Sequence, residues 1–277
     1  MRQRMRKMRE TRYLRARDVA DAAANIGQNC KLLAGGLALV PQMKQRVTSP
    51  KVIVDLIDCK LSGIEDMGAS IKIGAMCTHD EVGNSSIIKA QIPALATLAA
   101  KIGDPQVRNR ATLGGSLAHN DPAGCYPAAA IGLDAVIHTN KRDIAADDFF
   151  TGTFETALDQ GEIIIAASFA KPISSGSAGY AKCPHPASRN AMVAVFVARM
   201  QSGVRVAITG AKQTGVFRHA GLEAALGASF TSDAVNEQTL QMSDKEGLLS
   251  DLYASREFRA HLMLEMTRRA IAATTND

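Results

Sequence analysis

Two pairs of adjacent glycines carry the chemistry that is legible in this chain. They are Gly35-Gly36 in KLLAGGLALVP (31–41) and Gly114-Gly115 in RATLGGSLAHNDP (110–122). A double glycine is either an ordinary turn or a turn whose bare backbone lies against a ligand, because a side chain there would block the approach. Two such turns facing each other would present a concave set of backbone N–H donors, an arrangement suited to a pyrophosphate group. Asp-Pro pairs on both sides of the second (104–105 and 121–122) reinforce the reading. Neither loop fits GxGxxG or GxxxxGK[ST], so dinucleotide-fold and P-loop readings are weak.

Other chemistries find little support. The histidines (His79, His119, His138, His185, His219, His261) are scattered, with no metal-ligand spacing. Cys30, Cys59, Cys77, Cys125 and Cys183 form no CxxC, so neither a zinc site nor an iron–sulfur cluster is indicated, and reduced thiols of a cytoplasmic protein are expected. Tryptophan is absent and aromatics are 4%, which argues against a base-stacking platform. The net charge of +5 is concentrated in residues 1–17, with eight Arg or Lys against one Glu. The rest of the chain is slightly acidic, so no nucleic-acid face is expected, and the arm reads as solvated and partly disordered. No apolar run has membrane-spanning length.

The elements that would position the glycines follow from local signals. Asp18 opens an Ala-rich helix, a short strand-like run from Lys31 stops at Gly35-Gly36, and the apolar residues after it read as further strand-like packing. Strands are expected at 52–57, 71–76, 135–138, 161–169, 192–200 and 204–209. Helices are expected from 78, over 93–102, from 127, over 222–226 and over 255–273. The stretch 108–122 reads as a polar, Gly-rich loop, and 171–179 as a linker rich in Ser, Gly and Pro. Without regular βαβ alternation, the class is α+β.

These residues resemble the flavin-binding medium subunit of molybdenum hydroxylases, such as bacterial carbon monoxide dehydrogenase, and the FAD domains of xanthine dehydrogenases. The likeness rests on KLLAGGxxLVPxMKxR (31–46), VIVDL (52–56), IGAMCTHDEV (73–82), GDPQVRNRATLGG (103–115) and NDPAGCYPAA (120–129). YxRxxxxxDA (13–22) and the weaker VFRHAGLEAALGA (216–228) extend it to most of the chain. The resemblance implies a PCMH-type FAD-binding domain over 1–172, with subdomains of about 1–55 and 56–172, then an α+β C-terminal domain over 176–277.

It also implies non-covalent FAD, with molybdenum cofactor and iron–sulfur clusters only in partner subunits. Those partners would be a large molybdenum subunit and a small iron–sulfur subunit, in a dimer of heterotrimers. By the family pattern Leu33, Ala34, Gly35, Gly36 and Leu37 would line the pyrophosphate from one side. Thr112, Gly114, Gly115 and Ser116 would do so from the other. Ile164 matches an apolar residue near the flavin and Lys182 a lysine near the isoalloxazine. Plain core for Ile164 and a solvated charge for Lys182 are the competing readings.

The chain departs from the family where polar side chains usually sit. Leu37 and Ala38 follow the first glycine pair, Ser116 follows the second, Cys125 replaces the last Asp of DPxxD, and Asn190 stands near a usual tyrosine. Losing three side-chain bonds, at about 0.5–1.5 kcal/mol each, would weaken FAD by roughly one to three orders of magnitude. A flavin-depleted assembly subunit is therefore the alternative to an electron-transfer flavoprotein. A stand-alone flavin oxidase is disfavoured, because about 100 residues after the linker are few for a substrate domain.

Overall fold

Three short strands, of which only the central one is rich in β-branched residues, begin the architecture by pairing in parallel. The computed structural model describes residues 10–240 and 247–274. Strands β1 (Arg12–Arg15), β2 (Cys30–Leu33) and β3 (Val52–Asp55) form a sheet in the order β1-β3-β2. The basic arm is thus not wholly solvated. Residues 1–9 lie outside the described residues, while Arg12–Arg15 pair in register with Val52–Asp55. Tyr13 Oη donates to Asp55 Oδ2 at 2.5 Å, and Arg15 pairs with Asp58 at 2.6 Å. Helix α1 (Val19–Ala24) follows β1, with the Asp18 carboxylate accepting from the Asp21 amide at 2.7 Å as its N-cap. Helix α2 (Leu39–Lys44) follows β2. The apolar residues after Gly35-Gly36, expected to be strand-like, enter a helix because Gly36 at φ +79° reverses the chain first.

The middle of the chain builds a second, five-stranded sheet covered by helices on one face. It begins with β4 (Ile64–Asp66) and β5 (Ser70–Gly74). Helices α3 (His79–Asn84), α4 (Ser86–Gln91), α5 (Pro93–Ala100), α6 (Pro105–Arg108), α7 (Leu113–His119) and α8 (Tyr126–Gly132) follow. Then come β6 (Val136–Thr139), β7 (Asp143–Ala145), α9 (Ala146–Phe149), a ribbon of β8 (Phe150–Gly152) and β9 (Glu155–Thr156), and β10 (Ile164–Ala170).

The order β4-β5-β10-β6-β7 puts the late strand β10 at the centre. Its two faces follow from alternation. Ile71, Ile73, Ile137, Ala167 and Phe169 are buried against the helices, each large side chain contributing about 1.5–3 kcal/mol. The other face carries Lys72 beside Ser168, and His138 bonded to Asp143 and Ser168 at 2.7 Å each. Helix α3 starts as the sequence signals, with a capping box between Thr78 and Glu81.

The last third is a four-stranded antiparallel sheet of β11 (Ala178–Pro184), β12 (Ala191–Met200), β13 (Gly203–Thr209) and β14 (Phe217–Arg218). Helices α10 (Ala220–Ala228) and α11 (Arg256–Ala272) cover one face, closing a core with Val193, Val195, Val197, Ile208 and Met263. The stretch expected as a linker ends in strand β11, whose alternation is masked by small residues. Buried Arg205 of β13 joins this sheet to the middle layer. Its guanidinium donates to the Ile131 carbonyl at 2.7 Å and pairs with Asp147 at 2.5 Å and Asp134 at 3.2 Å. Among the described residues, no helix is long and apolar enough to cross a membrane.

Candidate cofactor cleft

All eleven residues singled out in the sequence line a single cleft of about 640 Å³. That size accommodates a large part of a nucleotide cofactor. The parallel sheet supplies one wall, the helical layer over the central sheet supplies another, and β11 closes the end.

Close backbone contact explains half of the glycines. A Cβ on Gly35 would lie 1.9 Å from the Arg110 carbonyl oxygen, so the first glycine pair lies directly on the backbone leading to the second. Gly114 is pressed against Ala75, where a Cβ would approach to 2.6 Å. Gly35 and Gly114 therefore hold the walls together. Gly36 provides the left-handed turn.

The two glycine pairs differ in what they leave for a ligand. The second is not a loop but the first turn of α7, capped by the Thr112 hydroxyl. Its amides are spent on the protein: Leu113 donates to Cys77, Gly114 to Ala75 at 2.8 Å, Gly115 to Thr112 Oγ1 at 3.2 Å and Ser116 to Thr112 O. The expected two-sided nest is thus one-sided. Across the cleft, the amides of Ala34, Gly35, Gly36, Leu37 and Ala38 have no hydrogen-bond partner among the described residues. Five consecutive N–H groups with no protein partner, beside a cavity, are left for solvent or a ligand to meet. Thr112 and Ser116 face them with hydroxyls that donate to no described residue.

Lys182 of β11 is neither a free surface charge nor a plain ligand group. Its ammonium donates to the Lys101 carbonyl at 2.5 Å and the Arg189 carbonyl at 3.1 Å, and lies 3.7 Å from Cys125 Sγ. It thereby pins the 185–190 segment, whose Arg189 and Asn190 line the cleft, to the end of α5. Replacing Lys182 with Met is expected to speed tryptic cleavage after Arg189 severalfold, as the segment loses its anchor. Unchanged cleavage would show that the anchor is not needed. Ile164 is buried at the start of β10 and still reaches the cleft, so core packing and cleft lining coincide there. Leu37 is 39% exposed and puts an apolar group at the rim.

Sequence reasoning missed several lining residues. His79 is only 3% exposed, and its Nδ1 has no partner. Burial first, and the Arg108 charge second, lower its pKa to about 4, so it is neutral at pH 7. His119 also lines the cleft. The 3.6-residue period places Thr112, Gly115, Ser116 and His119 on one face of α7, a signal that reading 108–122 as a loop conceals.

Glu162 braces the cleft from below. Its side chain accepts from Thr139 Oγ1 at 2.7 Å, from the Asp159 amide at 2.8 Å and from Arg142 Nε at 3.1 Å. The Arg142 hydrogen bond is the main cause of a carboxyl pKa lowered to about 2, against an ordinary 4.5. The stabilisation is fully present above pH 4.5 and is lost as pH falls towards 2. Glu162→Gln is expected to flatten the acid limb of a stability-against-pH curve. An unchanged limb would contradict this coupling.

Comparisons with known proteins show the family and the fold. Residues 7–169 match the model of the FAD binding domain in molybdopterin dehydrogenase, so the chain belongs to that family. It is 32% identical to the carbon monoxide dehydrogenase medium chain of Hydrogenophaga pseudoflava, with 94% of this chain and 96% of that one covered. It is likewise 32% identical to the nicotine 6-hydroxylase medium subunit of Paenarthrobacter nicotinovorans, covering 96% and 97%. The fold superposes on a chain of a solved structure of carbon monoxide dehydrogenase from Hydrogenophaga pseudoflava with a TM-score of 0.83 at 31% identity, covering 96% of this chain and 97% of that one. The mixed α+β class expected from the sequence is the observed one.

Proposed function

We propose that this chain is the FAD-bearing medium subunit of a molybdenum hydroxylase. It takes electrons from the iron–sulfur clusters of a small partner subunit and passes them to an external acceptor, while substrate is oxidised in a large molybdenum subunit. The observation that carries the reading is the row of five unpaired amides at 34–38 opposite the Thr112 and Ser116 hydroxyls, in a cleft of cofactor size. That donor set fits a diphosphate, which needs many close donors more than a cationic side chain.

The chain's own residues bind, orient and shield. The amides of Ala34–Ala38 hold the diphosphate of FAD, and the Thr112 and Ser116 hydroxyls complete the shell. Ile164 and Leu37 exclude water from apolar parts of the cofactor. Lys182 fixes the 185–190 segment at the same site and leaves a positive charge beside it. When bound, FAD supplies the exchange of electrons between one-electron clusters and the acceptor. The amide donors are backbone groups, so the side-chain departures at Leu37, Ala38 and Cys125 leave them intact. We propose a dimer of heterotrimers in the cytoplasm as the assembly.

The test is anaerobic reduction of the complex purified with its two partner subunits. The flavin band is expected to bleach when the substrate of the large subunit is added, and to recover with an acceptor. A complex that turns over substrate while its flavin stays oxidised, or that contains none, would leave this chain an assembly subunit.

A further inference from the structure

The turn between β11 and β12 supplies part of the cleft wall through Arg189 and Asn190, and its backbone depends on one titratable side chain. Pro186 has no amide, and every other amide from 185 to 190 has a partner within the turn. The His185 amide donates to the Asn190 carbonyl at 2.7 Å, Arg189 to the His185 carbonyl at 2.9 Å, and Asn190 to Ser188 Oγ at 3.3 Å. The amides of Ala187 and Ser188 both donate to His185 Nδ1, at 3.2 Å each. The imidazole thus closes the turn as an Asn or Asp side chain does when it accepts from the amide two residues on. It can do so only as the neutral ring with its proton on Nε2.

The closed turn also holds an unfavourable backbone. Arg189 sits at φ +60°, which a non-glycine residue keeps only where its surroundings impose it. Two contacts from outside help to impose it. The Lys182 ammonium on β11 donates to the Arg189 carbonyl at 3.1 Å, and the Tyr253 ring stands perpendicular to the imidazole with centroids 4.3 Å apart. The charged groups around His185 are Lys182 and Arg189 on its own hairpin and Asp251 on the loop that carries Tyr253. The Asp251 carboxylate is taken up by the amides of Tyr253 and Ala254 and by Arg259. Among the described residues, no carboxylate bonds to the imidazole.

We propose that His185 is a positioning residue for the cofactor: its neutral ring keeps Arg189 and Asn190 in the cleft wall, and its protonation loosens the turn and weakens FAD binding. The inference rests on the cofactor reading above. A proton taken from solvent onto Nδ1 turns the acceptor into a donor, so the Ala187 and Ser188 amides lose their partner together. Binding is therefore strongest on the alkaline side and falls as the pH drops through the range in which imidazoles charge. His79 is not the source of such a change, since its pKa of about 4 keeps it neutral through most of that range. His119 also lines the cleft, and variants of His185 separate the two.

The test is the FAD dissociation constant of the full chain, stripped of flavin, at about pH 8 and about pH 5. Wild-type protein is expected to bind about tenfold more weakly at the lower pH, the equivalent of two lost amide bonds. His185→Asn supplies an oxygen that accepts from the same amides and does not titrate. It is expected to bind within about twofold of wild type at the higher pH and to lose the tenfold difference. His185→Ala is expected to bind about tenfold more weakly at both. Hydrogen exchange over 185–190 in the flavin-free chain, corrected for the intrinsic effect of pH, is expected to lose protection at the lower pH in wild type and not in His185→Asn. An asparagine variant that keeps the wild-type pH dependence, an alanine variant that binds as tightly as wild type, or wild-type protection that does not change with pH overturns the inference and leaves the cofactor reading standing. A folded wild-type chain that binds no FAD at either pH overturns the cofactor reading and the inference with it.

Discussion

Gly35→Ala is expected to abolish flavin retention and to lower stability by about 3 kcal/mol, because the new Cβ meets backbone and not a mobile side chain. It would stand 1.9 Å from the Arg110 carbonyl oxygen and 2.9 Å from Ala111 Cα. Neither atom can turn aside, so the parallel sheet must move away from the helical layer. That movement separates the amide row at 34–38 from the hydroxyls of Thr112 and Ser116. Gly27→Ala is the matched control, since a Cβ there meets nothing within 4 Å. It is expected to be neutral or to stabilise by about 0.5 kcal/mol by restricting the unfolded chain. Thermal unfolding and released flavin, measured on both variants, check the pair. A Gly35→Ala protein that keeps its flavin and its midpoint would contradict the packing described for the two glycine pairs.

The second large effect concerns Arg205. Arg205→Met is expected to cost about 3 kcal/mol, because a buried guanidinium that satisfies three partners is replaced by a group that satisfies none. The Ile131 carbonyl loses a 2.7 Å donor, and Asp134 and Asp147 lose their buried cation. The loss is moderated because both carboxylates are partly exposed, at 54% and 37%, and Arg218 remains 3.5 Å from Asp147. None of these groups lines the cleft. The variant is therefore expected to unfold at a lower temperature while still taking up flavin at low temperature. Loss of flavin at a temperature where circular dichroism is native would show instead that the sheet carrying Lys182 is positioned through Arg205.

Much of this architecture is legible in the sequence because its signals are local. Asp18, Thr78 and Ser255 each precede a helix that they cap through the side chain, and the alternation at 71–73 and 167–169 sorts one sheet into a buried and a polar face. The cleft residues are legible through the two glycine pairs and their resemblance to a family. What stayed hidden depends on contacts distant in sequence. Nothing local says that Gly35 is bare because of Arg110 and Ala111, or that the amide of Gly114 is spent on Ala75. Helix α7 was obscured by its own two glycines, which lower helix propensity yet are needed where the turn packs on Ala75. Strand β1 was obscured by its basic composition, which reads as solvated until the pairing with Val52–Asp55 is seen. His79 gave no signal as a cleft residue, since backbone bonds distant in sequence, from its amide to Ala111 and from the Leu113 amide to Cys77, bring its helix start beside Thr112.

The central claim is that the amide row and its opposing hydroxyls hold FAD despite the apolar residues at Leu37 and Ala38. The most direct measurement is the visible spectrum of the purified chain, alone and with its partner subunits, together with a count of FAD released on denaturation. The account predicts a flavin spectrum and close to one FAD per chain in the complex. A folded chain that joins its partners and contains no flavin in either preparation would contradict it.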